Sequence, residues 1–204
     1  MGIDGEDPDS GMQRIETFSD GVFAIAITLL IIEIGVPHLG GSESLASALW
    51  DLWPSYGAYA LSFVMIGIYW ANHHSIFKLI VRTDHVFLML NVFFLMCIAF
   101  LPFPTAVLGE YLHDSGERET AVTLYALGLL LPAFGWLCAN FRGLTDTRLA
   151  PDYIRFLTTQ YLLSNAIYVM ALAISLISAV AALVICVGLT LLYLLPPRSP
   201  RYLN

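Results

Sequence analysis

The residue in this 204-residue sequence best suited to chemistry is an aspartate near the start of a strongly apolar segment. Asp20 precedes a run of mostly aliphatic residues, and Arg14 stands six residues before it. An ionised side chain is costly inside a lipid bilayer, so an aspartate there serves transport or assembly and has a partner. Trp70, His73 and His74 end a second apolar segment and are candidates for that partner.

The two adjacent histidines favour a hydrogen-bonded network over a metal site. Neighbouring residues on a helix point about 100° apart, so His73 and His74 cannot easily share one ion, and helical zinc sites place histidines four residues apart. We predict that one imidazole bonds or pairs with Asp20, that Arg14 satisfies the remaining carboxylate oxygen, and that Asn91 can join them. Such networks orient helices within a membrane. A pH-sensing role for the histidines is an alternative.

The composition is that of a membrane domain. Hydrophobic residues make up 58% and charged residues 12% of the chain, whereas a soluble domain carries about a quarter charged residues. The formal net charge of −7 argues against a nucleic-acid partner, because proteins that bind polyanions carry basic patches. Nucleophile elbows, glycine-rich phosphate loops and paired catalytic carboxylates are absent from the sequence, so we predict that the protein is not an enzyme and has no cofactor.

Apolar segments of about 20 residues, the length needed to cross a bilayer, predict six transmembrane helices. They cover residues 17–36, 54–77, 86–108, 120–141, 156–174 and 179–195. Eight of the nine Lys and Arg residues then fall on one side, which predicts that both termini are cytoplasmic. The fold class is therefore all-α and polytopic. An acidic, disordered cytoplasmic leader (1–13) precedes the six-helix membrane domain (14–195), and a cytoplasmic tail (196–204) follows it.

One face of the first predicted helix is an aliphatic stripe. On a helical wheel Leu29 and Ile32 lie within about 40° of Ile25. Thr28 lies within about 60° of Ile25, whereas Asp20 lies about 140° away. The carboxylate therefore points away from the stripe, towards the rest of its own bundle. Taken alone, such a stripe more often packs against other helices than lines a pathway.

The first segment resembles the Arg-x-x-x-Phe-Ser-Asp signature of the transmembrane-protein-175 family, the lysosomal and bacterial potassium channels. The signature residues here are Arg14, Phe18, Ser19 and Asp20. Two further matches are similar to later family motifs. They consist of Trp70, His73, His74 and Phe77 in the second segment, and of Asn91 with residues 102–105 and 108–109 in the third.

The resemblance implies a homotetramer of single six-span units whose first helices line the pore, without a carbonyl selectivity filter. It implies that the aliphatic residue five after the signature aspartate, Ile25, forms the constriction, and that Thr28 sits in the next pore layer. From the wheel we add Leu29 and Ile32 as further apolar rings. The signature residues would form a structural polar network with Trp70, His73, His74 and Asn91.

These inferences predict a potassium-preferring cation channel in a bacterial inner membrane. Its partners would be membrane lipid, further copies of the chain and permeant monovalent cations, with potassium as the permeant species and no resident metal. Two other classes of function remain open. A proton-coupled secondary carrier could use Asp20 and the histidines of the second span, and a non-transporting membrane scaffold could use the same network only to fold.

Overall fold

The computed structural model describes residues 8–39, 44–130, 143–194 and 200–203, with side chains from residue 11 onward. Within these ranges the chain is helical, and the only extended pairings there are two isolated bridges. The all-α prediction is confirmed. The helices of the described residues are α1 (Pro8–Leu29), α2 (Leu45–Asp51), α3 (Trp53–Phe77), α4 (His85–Phe100), α5 (Pro102–Tyr111), α6 (Arg118–Leu130), α7 (Pro151–Ser175) and α8 (Ala179–Tyr193).

In the part of the chain that the structure describes, two helical segments are long and apolar enough to cross a membrane. They are His85–Tyr111, which comprises α4 and α5, and Pro151–Ser175, which is α7. Ala179–Tyr193 is a shorter apolar helix. The fourth predicted span, 120–141, is described only as far as Leu130, where α6 ends. Its remainder lies outside the described residues.

Local sequence signals explain where several helices begin and end. Pro54 occupies the first turn of α3, where its missing N–H costs nothing. Pro102 separates α4 from α5 because it cannot donate to the carbonyl of Ile98, which accepts from Leu101 N at 3.1 Å instead. The hairpin between α7 and α8 is capped by the Ser178 hydroxyl, which accepts from Ala181 N. That serine marks the boundary that lacks glycine and proline.

The first helix differs from its predicted bounds at both ends. It begins at Pro8, so the part of the predicted disordered leader that is described, residues 8–13, is helical. It ends at Leu29 rather than near residue 36. The following backbone tightens into a turn in which Ile32 N donates to the oxygen of the residue three before it, Leu29 O, at 3.0 Å. Such tightening is common where a helix ends, and Ile32 therefore lies beyond the helix.

Helix α3 is central to the bundle. It packs against α1, α5 and α8, while α6 packs against α5, α7 and α8, and α4 packs against α1. The core between these helices contains fully buried large side chains such as Met65, Ile66, Tyr125 and Leu129. This packing leaves one side of α1 uncovered.

A clasp joins three segments at the end of the bundle where α3 finishes. Asp146 N donates to Leu79 O at 2.8 Å, and Ala150 N donates to Arg201 O at 2.9 Å. Hydrogen bonds from Arg148 lower the pKa of the Asp146 carboxyl below its ordinary value. The loop before α7 therefore ties the α3–α4 loop to residues 201–203.

Helices α3 and α5 approach each other closely at a glycine. A Cβ on Gly109 would lie 2.9 Å from the backbone Cα of Ser55, which is closer than non-bonded carbons approach. We expect Gly109→Ala to destabilise the protein by about 1–3 kcal/mol, because one of the two helices must move. Thermal unfolding of purified protein measures the effect.

Gly188→Ala is the matched control for that substitution. Gly188 also lies within a helix, but nothing lies within 4 Å of the position of its Cβ. Alanine should be neutral there or stabilising by up to about 1 kcal/mol. Equal unfolding temperatures for the two variants would show that the approach at Gly109 does not constrain the bundle.

Candidate functional site

Helix α1 has a buried face and an exposed face. The buried face is formed by Ser19, Phe23 and Ala26, and Leu30 continues it just past the helix end; all four are at most 2% exposed. Their spacing of four, three and four residues is the repeat of one helix face. This face packs on α3 and α4.

The exposed face carries the side chains predicted for the aliphatic stripe. Ile25 is 61% exposed and Leu29 40% exposed, and Thr28 is exposed between them. The Thr28 hydroxyl lies 3.0 Å from Ala24 O and 2.9 Å from Ile25 O, to which it donates. Its oxygen lone pairs therefore remain available as acceptors on the exposed face. Ile32 is also exposed, but beyond the helix end.

Two polar pairs join α1 to α3. Trp70 Nε1 donates to Asp20 Oδ1 at 2.8 Å, and His74 Nδ1 lies 2.6 Å from Glu16 Oε1. A step of four residues back along α1 thus corresponds to a step of four residues forward along α3. This register is that of antiparallel helices, in which residues four apart lie on one face. The Trp70 and His74 rings are stacked, with centroids 6.2 Å apart.

A third connection runs through the buried centre of the network. His73 Nε2 lies 3.0 Å from Asn91 Oδ1, and Asn91 Nδ2 donates to Ser19 Oγ at 3.1 Å. Ser19 Oγ donates in turn to Ile15 O at 2.8 Å. His73, Asn91 and Ser19 are all buried. The three side chains therefore join α3, α4 and α1.

The hydrogen-bond partner of Asp20 differs from the predicted one. The carboxylate accepts an indole N–H from Trp70, where an imidazole was predicted. The reason is register: antiparallel packing brings Trp70 level with Asp20 and carries His74 one turn further, to Glu16. Glu16 was missed by the sequence analysis, although its spacing of four from Asp20 matches the spacing of His74 from Trp70.

One signature residue lies away from this network. Phe18 is 61% exposed and stands seven residues before Ile25, so it shares the exposed face of α1 rather than the network to which it was assigned. Arg14 is also exposed. The structure thus brings together Ser19, Asp20, Trp70, His73, His74 and Asn91, with Glu16 added.

The arrangement provides hydrogen bonds between the helices. An indole N–H donates but cannot accept, so Trp70 cannot pass a proton between Asp20 and another group. In the part of the chain that the structure describes, no cluster of three His, Cys, Asp or Glu residues could hold a metal ion. The network is suited to fixing α1 against α3 and α4, with its aliphatic face turned outward.

The described residues form an all-helical bundle that contains apolar segments long enough to span a membrane. Its first helix turns an aliphatic face outward. These features are those of a helical membrane protein. The family model described as the endosomal/lysosomal potassium channel TMEM175 matches residues 14–102. A potassium channel of Streptomyces collinus is 40% identical over 171 residues, which cover 81% of this chain and 83% of that protein. The chain belongs to the TMEM175 family, as its signature residues predicted.

Two further comparisons point to the same family. A potassium channel of Chamaesiphon minutus is 40% identical over 188 residues, covering 89% of this chain and 93% of the relative. The crystal structure of a lysosomal potassium-selective channel TMEM175 homolog from Chamaesiphon minutus is 41% identical, with a TM-score of 0.80. It matches 91% of this chain and 97% of its own. The family is one of membrane-embedded ion channels and not of enzymes.

Proposed function

We propose that the protein is a potassium-preferring cation channel whose pathway is lined by α1. The observation that carries this proposal is the exposed aliphatic face of α1. Ile25 and Leu29 are exposed there, while polar side chains on other faces of the same helix are bonded to α3 and α4. The potassium-channel relatives in Streptomyces and Chamaesiphon support potassium as the permeant ion.

The proposed channel is a homotetramer of six-span subunits. The spans would be α1, α3, the α4–α5 segment, α6 with the residues after it, α7 and α8. Each subunit contributes one α1, so a closed pathway lined by this helix requires several copies around an axis. Membrane lipid would cover the outward apolar faces of the remaining helices.

The proposed constriction is a ring of Ile25 side chains, with Leu29 and Ile32 forming further apolar rings. Rings of branched side chains can restrict hydrated ions by size and can gate by losing water. Isoleucine has no oxygen to replace the hydration shell of an ion, so discrimination between potassium and sodium would be modest. Thr28 Oγ1 would supply what preference exists, because its hydrogen is engaged by helix carbonyls and its lone pairs are free.

The proposed role of the polar network is to hold α1 in place and not to conduct. Its members would be Ser19, Asp20, Trp70, His73, His74 and Asn91, with Glu16. A proton-coupled carrier would need a continuous relay from Asp20 to a histidine. Trp70 occupies that position and offers only a donor, which favours the channel over the carrier.

Single-channel recording of the purified protein in a planar bilayer tests the proposed function. In a gradient of potassium chloride, a channel gives discrete unitary currents that reverse near the potassium equilibrium potential and that grow with the potassium concentration. Saturating flux that follows a proton gradient would instead identify a carrier. Complete absence of flux from correctly assembled protein would identify a scaffold. Either of these results would overturn the proposal.

The proposed orientation places both termini in the cytoplasm of a bacterial cell, with the channel in the inner membrane. We expect an impermeant thiol reagent, added outside the cell, to label Ala46→Cys. The same reagent should label Thr147→Cys only after the membrane has been permeabilised. Both positions are exposed, and Cys97 and Cys186 are buried; Cys138→Ser is introduced into both variants. The opposite labelling pattern would reverse the orientation derived from the basic residues.

A further inference from the structure

A cavity lies within the subunit, beside α3. Its volume is about 80 Å³, and it is lined by residues of α3, α4, α7 and α8. Among the described residues that line the cavity, only Leu90 on α4 is exposed. We therefore place the mouth of the cavity beside Leu90.

The cavity walls suit a neutral ring-shaped molecule. Phe77, Phe87, Phe94, Tyr161 and Tyr168 contribute aromatic surface. Among the described residues that line the cavity, none is Asp, Glu, Lys or Arg, so a charged ligand would lose its hydration without gaining an ionic partner. Aromatic walls pack favourably against another ring in offset or edge-to-face arrangements.

The protonation state of His73 follows from the hydrogen bonds around it. Ser19 Oγ donates to Ile15 O, so it accepts from the amide nitrogen of Asn91. The amide oxygen of Asn91 then faces His73 Nε2, which must carry the proton in the neutral ring. Nδ1 of His73 is consequently an acceptor, and it has no hydrogen-bond partner among the described residues although it is buried.

That acceptor belongs to a residue that lines the cavity. Nε2 faces Asn91, and the two ring nitrogens point in diverging directions. The faces of the imidazole are stacked on Phe77 and Phe94, with centroids 4.1 Å and 5.5 Å away, and both phenylalanines also line the cavity. A buried acceptor without a donor is costly, and a ligand hydroxyl arriving from the cavity would remove that cost.

We propose that this cavity binds a neutral hydroxyl-bearing molecule of about the size of phenol, which donates its hydroxyl hydrogen to Nδ1 of His73. An apolar cavity of about 150 Å³ is known to hold benzene. The present cavity is smaller but open beside Leu90, so a ring can enter the enclosed part and extend towards the mouth. The site is separate from the proposed ion pathway and does not depend on it.

The test uses two probes that differ only at the polar group, 4-fluorophenol and 4-fluorotoluene. Fluorine NMR follows the binding of each probe to the full-length protein in nanodiscs, and empty nanodiscs correct for partitioning into lipid. We expect saturable binding of 4-fluorophenol with an affinity about ten-fold above that of 4-fluorotoluene, which is the effect of one satisfied hydrogen bond. Equal affinities would show that Nδ1 is not the partner.

Two tryptophan variants on α4 locate the site. Leu90→Trp places a large ring over the mouth and should abolish binding of 4-fluorophenol. Val92→Trp adds the same bulk at an exposed position that does not line the cavity, and it should bind like the unmutated protein. Binding that survives Leu90→Trp would place the ligand elsewhere. Absence of saturable binding to the unmutated protein would show that the cavity holds water only, and both results overturn the proposal.

Discussion

Replacing Ile25 by asparagine is expected to raise potassium flux into liposomes about ten-fold and to erode discrimination against sodium. A ten-fold rise corresponds to a barrier lowered by about 1.4 kcal/mol. In the proposed tetramer four isoleucine side chains narrow the path, and water leaves such an apolar neck readily because it finds no hydrogen-bond partners there. Four amide side chains would keep water in the constriction, and they would interact with potassium and sodium equally well. The measurement compares the potassium flux and the sodium flux of the variant with those of the unmutated protein, at equal protein content.

The chain offers a control on the same helix. Ile27 is partly buried and packs against the core of the subunit, whereas Ile25 is exposed. Ile27→Val should leave both flux and ion preference at the unmutated level. Thr28→Val should keep the neck and lower the preference for potassium, because it removes the oxygen offered to the ion. If Ile25→Asn also behaves like the unmutated protein, α1 does not line the pathway.

The sequence predicted helix type and several helix ends well, because these depend on local signals. The start of α3 at Trp53 and the hairpin before Ser178 fall within a residue or two of their predicted positions. The end of α1 was predicted too late, since residues 30–36 are as apolar as the helix before them apart from Glu33 and Gly35. Hydropathy reports which residues avoid water and does not report where backbone hydrogen bonding changes.

The candidate site was predicted as a set of residues, but its pairing was not. A helical wheel gives the direction in which Asp20 points, whereas the choice between Trp70 and His74 as its partner depends on the register of α1 against α3. A shift of one turn exchanges the two. The matched spacing of four residues on both helices was the available signal. If the two helices are antiparallel, this spacing predicts two pairs that lie one helical turn apart, Asp20 with Trp70 and Glu16 with His74.

Asn91 is the residue of the network whose loss is expected to cost most stability. It bonds both His73 and Ser19, and it is buried with them. Asn91→Leu preserves the approximate volume and removes both bonds. The N–H of His73 Nε2 would then be buried without an acceptor, and we expect a loss of about 1–3 kcal/mol. Thermal unfolding of purified protein, followed by loss of the assembled species, measures the change.

A double variant separates this bonding effect from a packing effect. Asn91→Leu leaves the imidazole N–H of His73 without an acceptor, and His73→Phe removes that N–H. The double variant should therefore lose less unfolding free energy than the sum of the losses in the two single variants. Such a recovery requires that the two side chains interact directly in the folded protein. Strictly additive losses would mean that the residues stabilise the bundle independently. In that case the hydrogen bonds through Asn91 would not be what holds α1 against α3 and α4.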